Sequence, residues 1–568
     1  MSSYRRFALL LAVLAACGMA TWGIFQTTLA PPHPLDQLMP QGALLYIEAK
    51  DFAGLLKDWN NSQEQAAWLK SDDYRVFSNS RLFLRLTKAS DEFAAAAGLH
   101  PNGKFLAEAA GTQSAIAIYD IGNLEFLYVS RLSSGDFTQS SLWQQRNKFQ
   151  SRAAAGKPFF VRKDEESGRV VAFAVADNYL VLGTREDLVA GSLELLAGAQ
   201  QRNLQQEGWY AQAVSAAAST PGDLRMVLHL EKIAVTPHFR TYWIQQNITE
   251  MQGYAGGVCD LFREGPVYRE ERVLSPKTSV EDEALLTRSA QAVSNLMTLA
   301  PKDYGFYQVV ATDAKRSLAT VEQKLIAPHF GVAAAERLAP RVQLTGGESG
   351  SASDLETRID LAPASRTSSE NSLAGLQKQF DAASPQAMLV VQATRKGRDG
   401  VLLGTSSVVV IAATTDWDFP AVQRAVQDVL APGLTASALG VRWHDVKEPG
   451  GYSELDGLLP LQIARRGKLI FFANDAAALS AILQAKSLAP VQPVSYAAGF
   501  NHDREREDFY DLTALVGRNI EASSEQPDFF SRNLTSLSRT FAGVGSEEIV
   551  ERRGRDRIQQ TVTYRWTP

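Results

Sequence analysis

The chain has 568 residues, a formal charge of −5, 45% hydrophobic and 9% aromatic side chains, and two cysteines. That length suffices for several domain-sized units, and the apolar content supports packed cores, which excludes a disordered chain. An acidic balance excludes a general nucleic-acid or anionic-lipid binder, which needs a basic surface.

The first element is the run Phe7 to Phe25, in which Cys17 is the only ionisable side chain. Its 19 residues match the length a helix needs to cross a hydrocarbon core. Arg5 and Arg6 precede it and no charge follows until Asp36, so the positive-inside rule puts the N-terminus in the cytoplasm and the body outside, on the periplasmic or extracellular face. Residues 1–25 are read as a signal anchor or lipoprotein signal. Leu14-Ala-Ala-Cys17 resembles a lipobox, which makes Cys17 the candidate lipidation site, while the apolar continuation Gly18 to Phe25 fits an uncleaved anchor. A cleaved secretory signal shares the same pattern. A buried core helix would show a polar face, and this run has none. Residues 26–39, with Ala30-Pro-Pro-His-Pro34, are expected to be a proline-rich spacer.

The rest reads as a duplicated body. A proline, a short strand and a helix open each half: Pro40, Ala43–Ala49 and the helix of Phe52, Leu55, Leu56 and Trp59, then Pro301, Tyr304–Val310 and a helix beginning near Lys315. Further along, a strand at Leu124–Ser130 leads into Asp136-Phe137 and a helix containing Trp143. Its counterpart at Ser407–Ala412 leads into Asp418-Phe419 and a helix that buries Val422, Ala425, Val426, Val429 and Leu430, the spacing of one helical face. Hairpins follow at Arg169–Leu182 and Leu459–Phe472, each running straight into a helix, Glu186–Leu196 and Asp475–Leu483, with acids placed where helix N-termini favour them. Strands at Tyr268–Leu274 and Arg557–Trp566 close the halves. The fold class expected is α+β: two divergent copies of an antiparallel sheet with helices packed on one face, at 40–276 and 301–568, joined by a connecting helix within 277–300. Polar stretches at Thr345–Ser353 and Ser365–Asn371 are expected to be surface loops.

The opening Pro40-Gln-Gly-Ala-Leu-Leu-Tyr-Ile-Glu-Ala-Lys-Asp51 and the block Val175-Ala-Asp-Asn-Tyr-Leu-Val-Leu-Gly-Thr184 resemble an uncharacterised family of N-terminally anchored, exported bacterial proteins. The resemblance covers roughly the first half. It implies the same address and strand-helix architecture, and it brings no activity and no functional residues.

No chemistry-bearing motif stands out. The histidines at 33, 100, 229, 238, 329, 444 and 502 lack metal-pair spacing, so no metal and no cofactor is expected. His444-Asp445 and His502-Asp503 are neighbours whose side chains would leave a strand on opposite faces. Cys259 reads as a small strand hydrophobe. Gly347-Glu-Ser-Gly350 is a fragment of a serine elbow, and Gly543-Val-Gly545 is too short for a dinucleotide site. Glu505, Glu507 and Asp508 interleave with arginines as a solvated face, and Arg552-Arg-Gly-Arg-Asp-Arg557 reads as a hairpin tip able to touch headgroups or a partner. The catalytic residues, if any, are unknown. The sequence therefore points to a membrane-tethered extracytoplasmic protein of the cell envelope, a non-catalytic binding or scaffold module for an envelope protein or an apolar ligand in the groove between copies. The alternative is an extracytoplasmic hydrolase with a dispersed active site.

Overall fold

The structure, a computed structural model, describes residues 33–70, 72–132, 136–200, 202–217, 220–236, 252–277, 283–327, 370–396, 403–434, 442–447, 451–455, 460–485, 492–505 and 543–566. The apolar run Phe7 to Phe25 with Cys17, the stretch Thr345–Ser353, residues 365–369, His238, His329, Glu507 and Asp508 lie outside these. Among the described residues no helix is long and apolar enough to cross a membrane.

Runs of β-branched and aromatic residues form twenty strands among the described residues. In the first half they are β1 (Leu45–Ala49), β2 (Gln113–Asp120), β3 (Glu125–Arg131), β4 (Gln150–Ala154), β5 (Lys157–Lys163), β6 (Val170–Ala176), β7 (Tyr179–Gly183), β8 (Leu224–Leu228), β9 (Tyr254–Glu264) and β10 (Val267–Pro276). In the second half they are β11 (Phe306–Ala311), β12 (Pro385–Lys396), β13 (Leu403–Ala413), β14 (Trp443–Val446), β15 (Tyr452–Leu455), β16 (Leu461–Arg466), β17 (Leu469–Ala473), β18 (Tyr496–Asn501), β19 (Val544–Arg553) and β20 (Ile558–Trp566).

Every pairing is antiparallel, and together they make one open sheet. From one edge the first half runs β4-β5-β6-β7-β3-β2-β1-β8-β9-β10. From the other edge the second half runs β14-β15-β16-β17-β13-β12-β11-β18-β19-β20, the same order strand for strand. The halves meet where β10 pairs with β20, from Val267 opposite Arg565 to Leu274 opposite Ile558. Hairpin chemistry is visible at the turns: Asp177 and Asn178 between β6 and β7 have φ of 49° and 65°, and Gly467 between β16 and β17 has φ of 58°.

Helix starts follow the same logic in both halves. Asp51 after β1 and Asp313 after β11 accept from the amides of Gly54 and Arg316, and Asp418 and Asp475 cap the helices after β13 and β17. Asp136 starts a 3-10 turn, and Ser140 caps the short helix Ser141–Gln144 that holds Trp143.

Helices lie on both faces of the sheet, which corrects the expectation of one covered face. Residues alternate sides along a strand, so Ala172 and Ala174 join the core under helices Glu186–Leu196 and Gly208–Ala216, while Val171 and Phe173 join the core under Arg81–Ala97 and Gly103–Ala109. In the second half Val408 and Val410 pack beneath Glu283–Met297 and Ala476–Gln484, and Val409 and Ile411 beneath Ala314–Val321, Glu370–Ala383 and Phe419–Leu434. The physical reason is legible in unbroken apolar runs such as Tyr179–Leu182 and Val408–Ile411, which only two-sided burial satisfies.

Leu35, Leu38 and Met39, within the expected spacer, are buried in the first core at 1%, 1% and 0% exposure. The helix Glu283–Met297 is no free connector, since Val293 and Leu296 pack against Val309 and Leu389 of the second half.

Candidate functional site

Where the two halves meet, the long strands β10 and β19 are half-buried over most of their length. Every residue from Val267 to Arg272 and from Ser546 to Arg552 is half-buried. The hairpin β9–β10 turns at Gly265, with φ of 63°, and β19–β20 turns at Gly554 to Arg557, where the Gly554 amide donates to the Arg557 carbonyl at 2.8 Å.

On one face, cross-strand register brings Cys259 of β9 opposite Arg272 of β10, and Arg272 opposite Gln560 of β20. Arg272 donates through Nε and Nη2 to Glu270 at 2.8 and 2.7 Å, and the Cys259 thiol donates to the same carboxylate at 2.8 Å. Burial alone would raise the Glu270 carboxyl, but the bonds from Arg272 and Cys259 outweigh it and hold the group below its ordinary range. Burial, and then the Glu270 contact, pushes the Cys259 thiol upward, the opposite of what a nucleophile needs. Tyr564 is pushed up to about 12 by burial and by Glu547. Beside them Gln560 and Arg553 donate to Glu551 at 2.8 and 3.3 Å.

On the opposite face Arg269 pairs with Glu271 and with Glu264 at 3.3 Å, its guanidinium 4.2 Å from the Phe262 ring centroid. Tyr307 donates to Glu548 at 2.7 Å. Both faces of the junction are thus ladders of paired arginine and glutamate. An apolar ligand expected between copies meets charged side chains here, and Glu264, Glu270, Glu271, Glu548 and Glu551 are each engaged by a donor.

A second polar group lies largely buried in the first half. Arg225 of β8 clamps Asp260 of β9 through Nε and Nη2, both at 2.7 Å, and the Gly222 amide donates to Asp260 at 3.0 Å. Glu48 accepts from the Tyr46 hydroxyl and from Gln113, each at 2.5 Å, and Tyr210 donates to Asp36 at 3.1 Å. Burial raises the Asp36 carboxyl despite its Tyr210 bond, and burial followed by Lys232 lowers His229, which stacks 4.6 Å from Trp209. Such shifts mark active sites in many enzymes. Here Tyr46, Asp260 and Tyr210 are 0%, 1% and 3% exposed, whereas Asp36 and Glu48 are half-buried.

A cavity of about 160 Å³ lies in the second half between Gly305, Phe306, Gln392, Thr394, Phe500 and Glu505. Glu505, expected on a solvated face, is buried and accepts from the Thr394 amide and from Arg504. Ligand pockets usually begin near 300 Å³, roughly twice this volume.

The remaining sequence candidates scatter. His444 is exposed on edge strand β14, where neighbouring Asp445 accepts from Ser453 at 2.6 Å, whereas the His502 ring packs 4.6 Å from Phe500 well away in the strand order. Gly543 enters β19 beneath the Trp566 indole, which occupies the space a Cβ would need. Among the described residues no group of three or more His, Cys, Asp and Glu side chains could hold a metal ion. Sequence reasoning missed Arg225, Asp260, Asp36 and Glu48. Their signal was parity: in Leu224-Arg-Met-Val-Leu228 the arginine shares the inward side with Val227.

No family model and no curated protein matches the chain. Among solved structures, crystal form IV of TP0453 is similar at 11% identity and a TM-score of 0.24, over 44% of this chain and 83% of that one. Crystal form III of TP0453 gives 10% identity and 0.24, over 47% and 89%.

Proposed function

We propose that the chain is a membrane-tethered extracytoplasmic protein of the cell envelope, built from two copies of one α+β unit and acting as a non-catalytic binding or scaffold module. The tether is the run Phe7 to Phe25, uncleaved or replaced by a lipid on Cys17. Duplication is supported by the strand order shared between the halves, which nine pairings in each would rarely reproduce by accident. The first copy then opens near Leu35, and the second takes in the helix Glu283–Met297.

The observation that carries the binding reading is the half-exposed Arg and Glu ladder at the β10–β20 junction. Interfaces that are charged on both faces suit a polar protein partner, for which they set register and selectivity more than raw affinity. The hydrolase alternative has no comparable observation among the described residues: Tyr46, Tyr210 and Asp260 are buried, and the Glu505 cavity is small.

The test is a crosslinked pull-down of the full chain from detergent-solubilised native membranes, comparing wild type with the charge reversal Arg269→Glu, Arg272→Glu. A stoichiometric partner lost in the variant supports the reading; a partner retained by the variant, or none at all, contradicts it. The mass of the N-terminal peptide in the same sample separates an intact anchor from a lipidated Cys17.

A further inference from the structure

The two halves agree in register as well as in strand order. Leu45 stands opposite Leu228 and Ala49 opposite Leu224 in the first, and Phe306 stands opposite Phe500 and Val310 opposite Tyr496 in the second. The hairpin β6–β7 recurs as β16–β17, with Tyr179 opposite Ala176 becoming Leu469 opposite Arg466. At the same offset in sequence the hairpin β9–β10 recurs as β19–β20, so that Glu271 opposite Asp260 becomes Thr561 opposite Val550. Glu271 and Thr561 are therefore counterparts, one in each half.

These counterparts pair directly with each other across the junction. On either side of them the correspondence is crossed: Glu270 faces Val562, the counterpart of Arg272, and Arg272 faces Gln560, the counterpart of Glu270. A contact in which residue i meets j and j meets i is isologous, the form that two copies of one subunit adopt about a two-fold axis. The axis here passes between Glu271 and Thr561. Among the described residues no other strand pairing joins the halves, and each hydrophobic core draws on one half alone. Without its neighbour each half would present β10 or β20 as an open sheet edge, which is a template for another strand.

We infer that the β10–β20 junction is a dimer contact between two copies of one unit, closed within a single chain, and that Glu271 directs the first unit away from a second copy of itself. This rests on the duplication reading. The physical case lies in the residues that would meet if two first units paired about the same axis. Glu270 would face Arg272 twice, a favourable match, and Arg269 would face Val273. Glu271 would face Glu271, and like charges directly opposite each other destabilise an antiparallel pair. Thr561 places a neutral β-branched side chain at that point, so the first unit meets no like charge there when it pairs with the second.

The test uses the full chain in detergent, with a specific protease site inserted within residues 278–282 and cut after folding. Two batches carry different tags on the first unit. After mixing and equilibration, tag-to-tag capture measures the constant for exchanging two cut chains into a first-unit pair and a second-unit pair. Glu271→Thr in both batches is expected to raise that constant about fivefold, the effect of removing one facing pair of like charges. A constant unchanged by Glu271→Thr, or no first-unit pairs from wild type or variant, overturns the inference. Glu264→Gln, which removes the same charge near the tip of the hairpin, should leave the constant unchanged, and an equal rise there also overturns the inference. Cut chains that do not exchange are unfolded together in urea and refolded as a mixture, and the same constant is read. Should Glu271→Thr lose its thermal transition, Glu271→Gln is read in its place. Second units that remain single while first units pair as expected remove the duplication reading and leave the role of Glu271 standing.

Discussion

Asp260→Ala should be among the most damaging single substitutions in the first half. Asp260 is 1% exposed and accepts three hydrogen bonds, two from Arg225 and one from the Gly222 amide. Removing it takes from a buried guanidinium the carboxylate that clamps it and leaves an amide without its acceptor. Breaking one partner of such a pair costs about 3 to 5 kcal/mol, because the surviving charge keeps its desolvation penalty. Replacing both partners removes that penalty together with the attraction, so Arg225→Met with Asp260→Leu should lie within about 1.5 kcal/mol of wild type. Urea unfolding of the full chain, followed by circular dichroism, measures the four corners of the cycle, and a coupling of about 2 kcal/mol or more is expected. A loss under about 1 kcal/mol for Asp260→Ala, or a double variant as unstable as the two single losses combined, would refute the claim that the pair is sealed from water.

Three further outcomes follow from the geometry. Asp36 holds its proton more tightly in the folded chain than at the ordinary carboxyl value of 3.8, so its own contribution to stability is full below 3.8 and is lost as pH rises through the folded value. Asp36→Asn should remove that fall, raising the unfolding midpoint at neutral pH and matching wild type in acid. In a Cys17→Ser background Cys259 should label slowly with maleimide, and Glu270→Gln should speed labelling by about threefold or more by removing the carboxylate beside the thiol. Gly499 lies under Tyr307, where an added Cβ would come within 2.4 Å of the ring, so Gly499→Ala should cost about 1 to 3 kcal/mol by chemical denaturation.

Much of the architecture was legible because local rules and tertiary context agree. The helix Glu186–Leu196 follows from its acidic first turn and apolar spacing, and the β6–β7 hairpin from Asp177-Asn178. The hairpin tip at Arg552 to Arg557 falls where Gly554 interrupts the charge run. What escaped was context. Leu35, Leu38 and Met39 sit among prolines, so composition suggested a spacer, yet three apolar side chains at that spacing fill a core that β1 and β2 leave open. Two-sided burial escaped because half of each strand pattern was read against a single face. The polar network of the first half escaped because Asp36, Glu48, Arg225 and Asp260 are brought together by strand order over more than two hundred residues of sequence, and no local spacing encodes that order.

The central claim, a binding module outside the cytoplasm that works through its junction, is tested most directly by photo-crosslinking in intact cells. A photoreactive residue replaces Arg269 at the junction in one strain and Lys104, on the far helix Gly103–Ala109, in another. A tethered binding module gives one discrete crosslinked partner of the envelope from position 269 and none from position 104. No adduct at 269, or the same adducts at both positions, would contradict it.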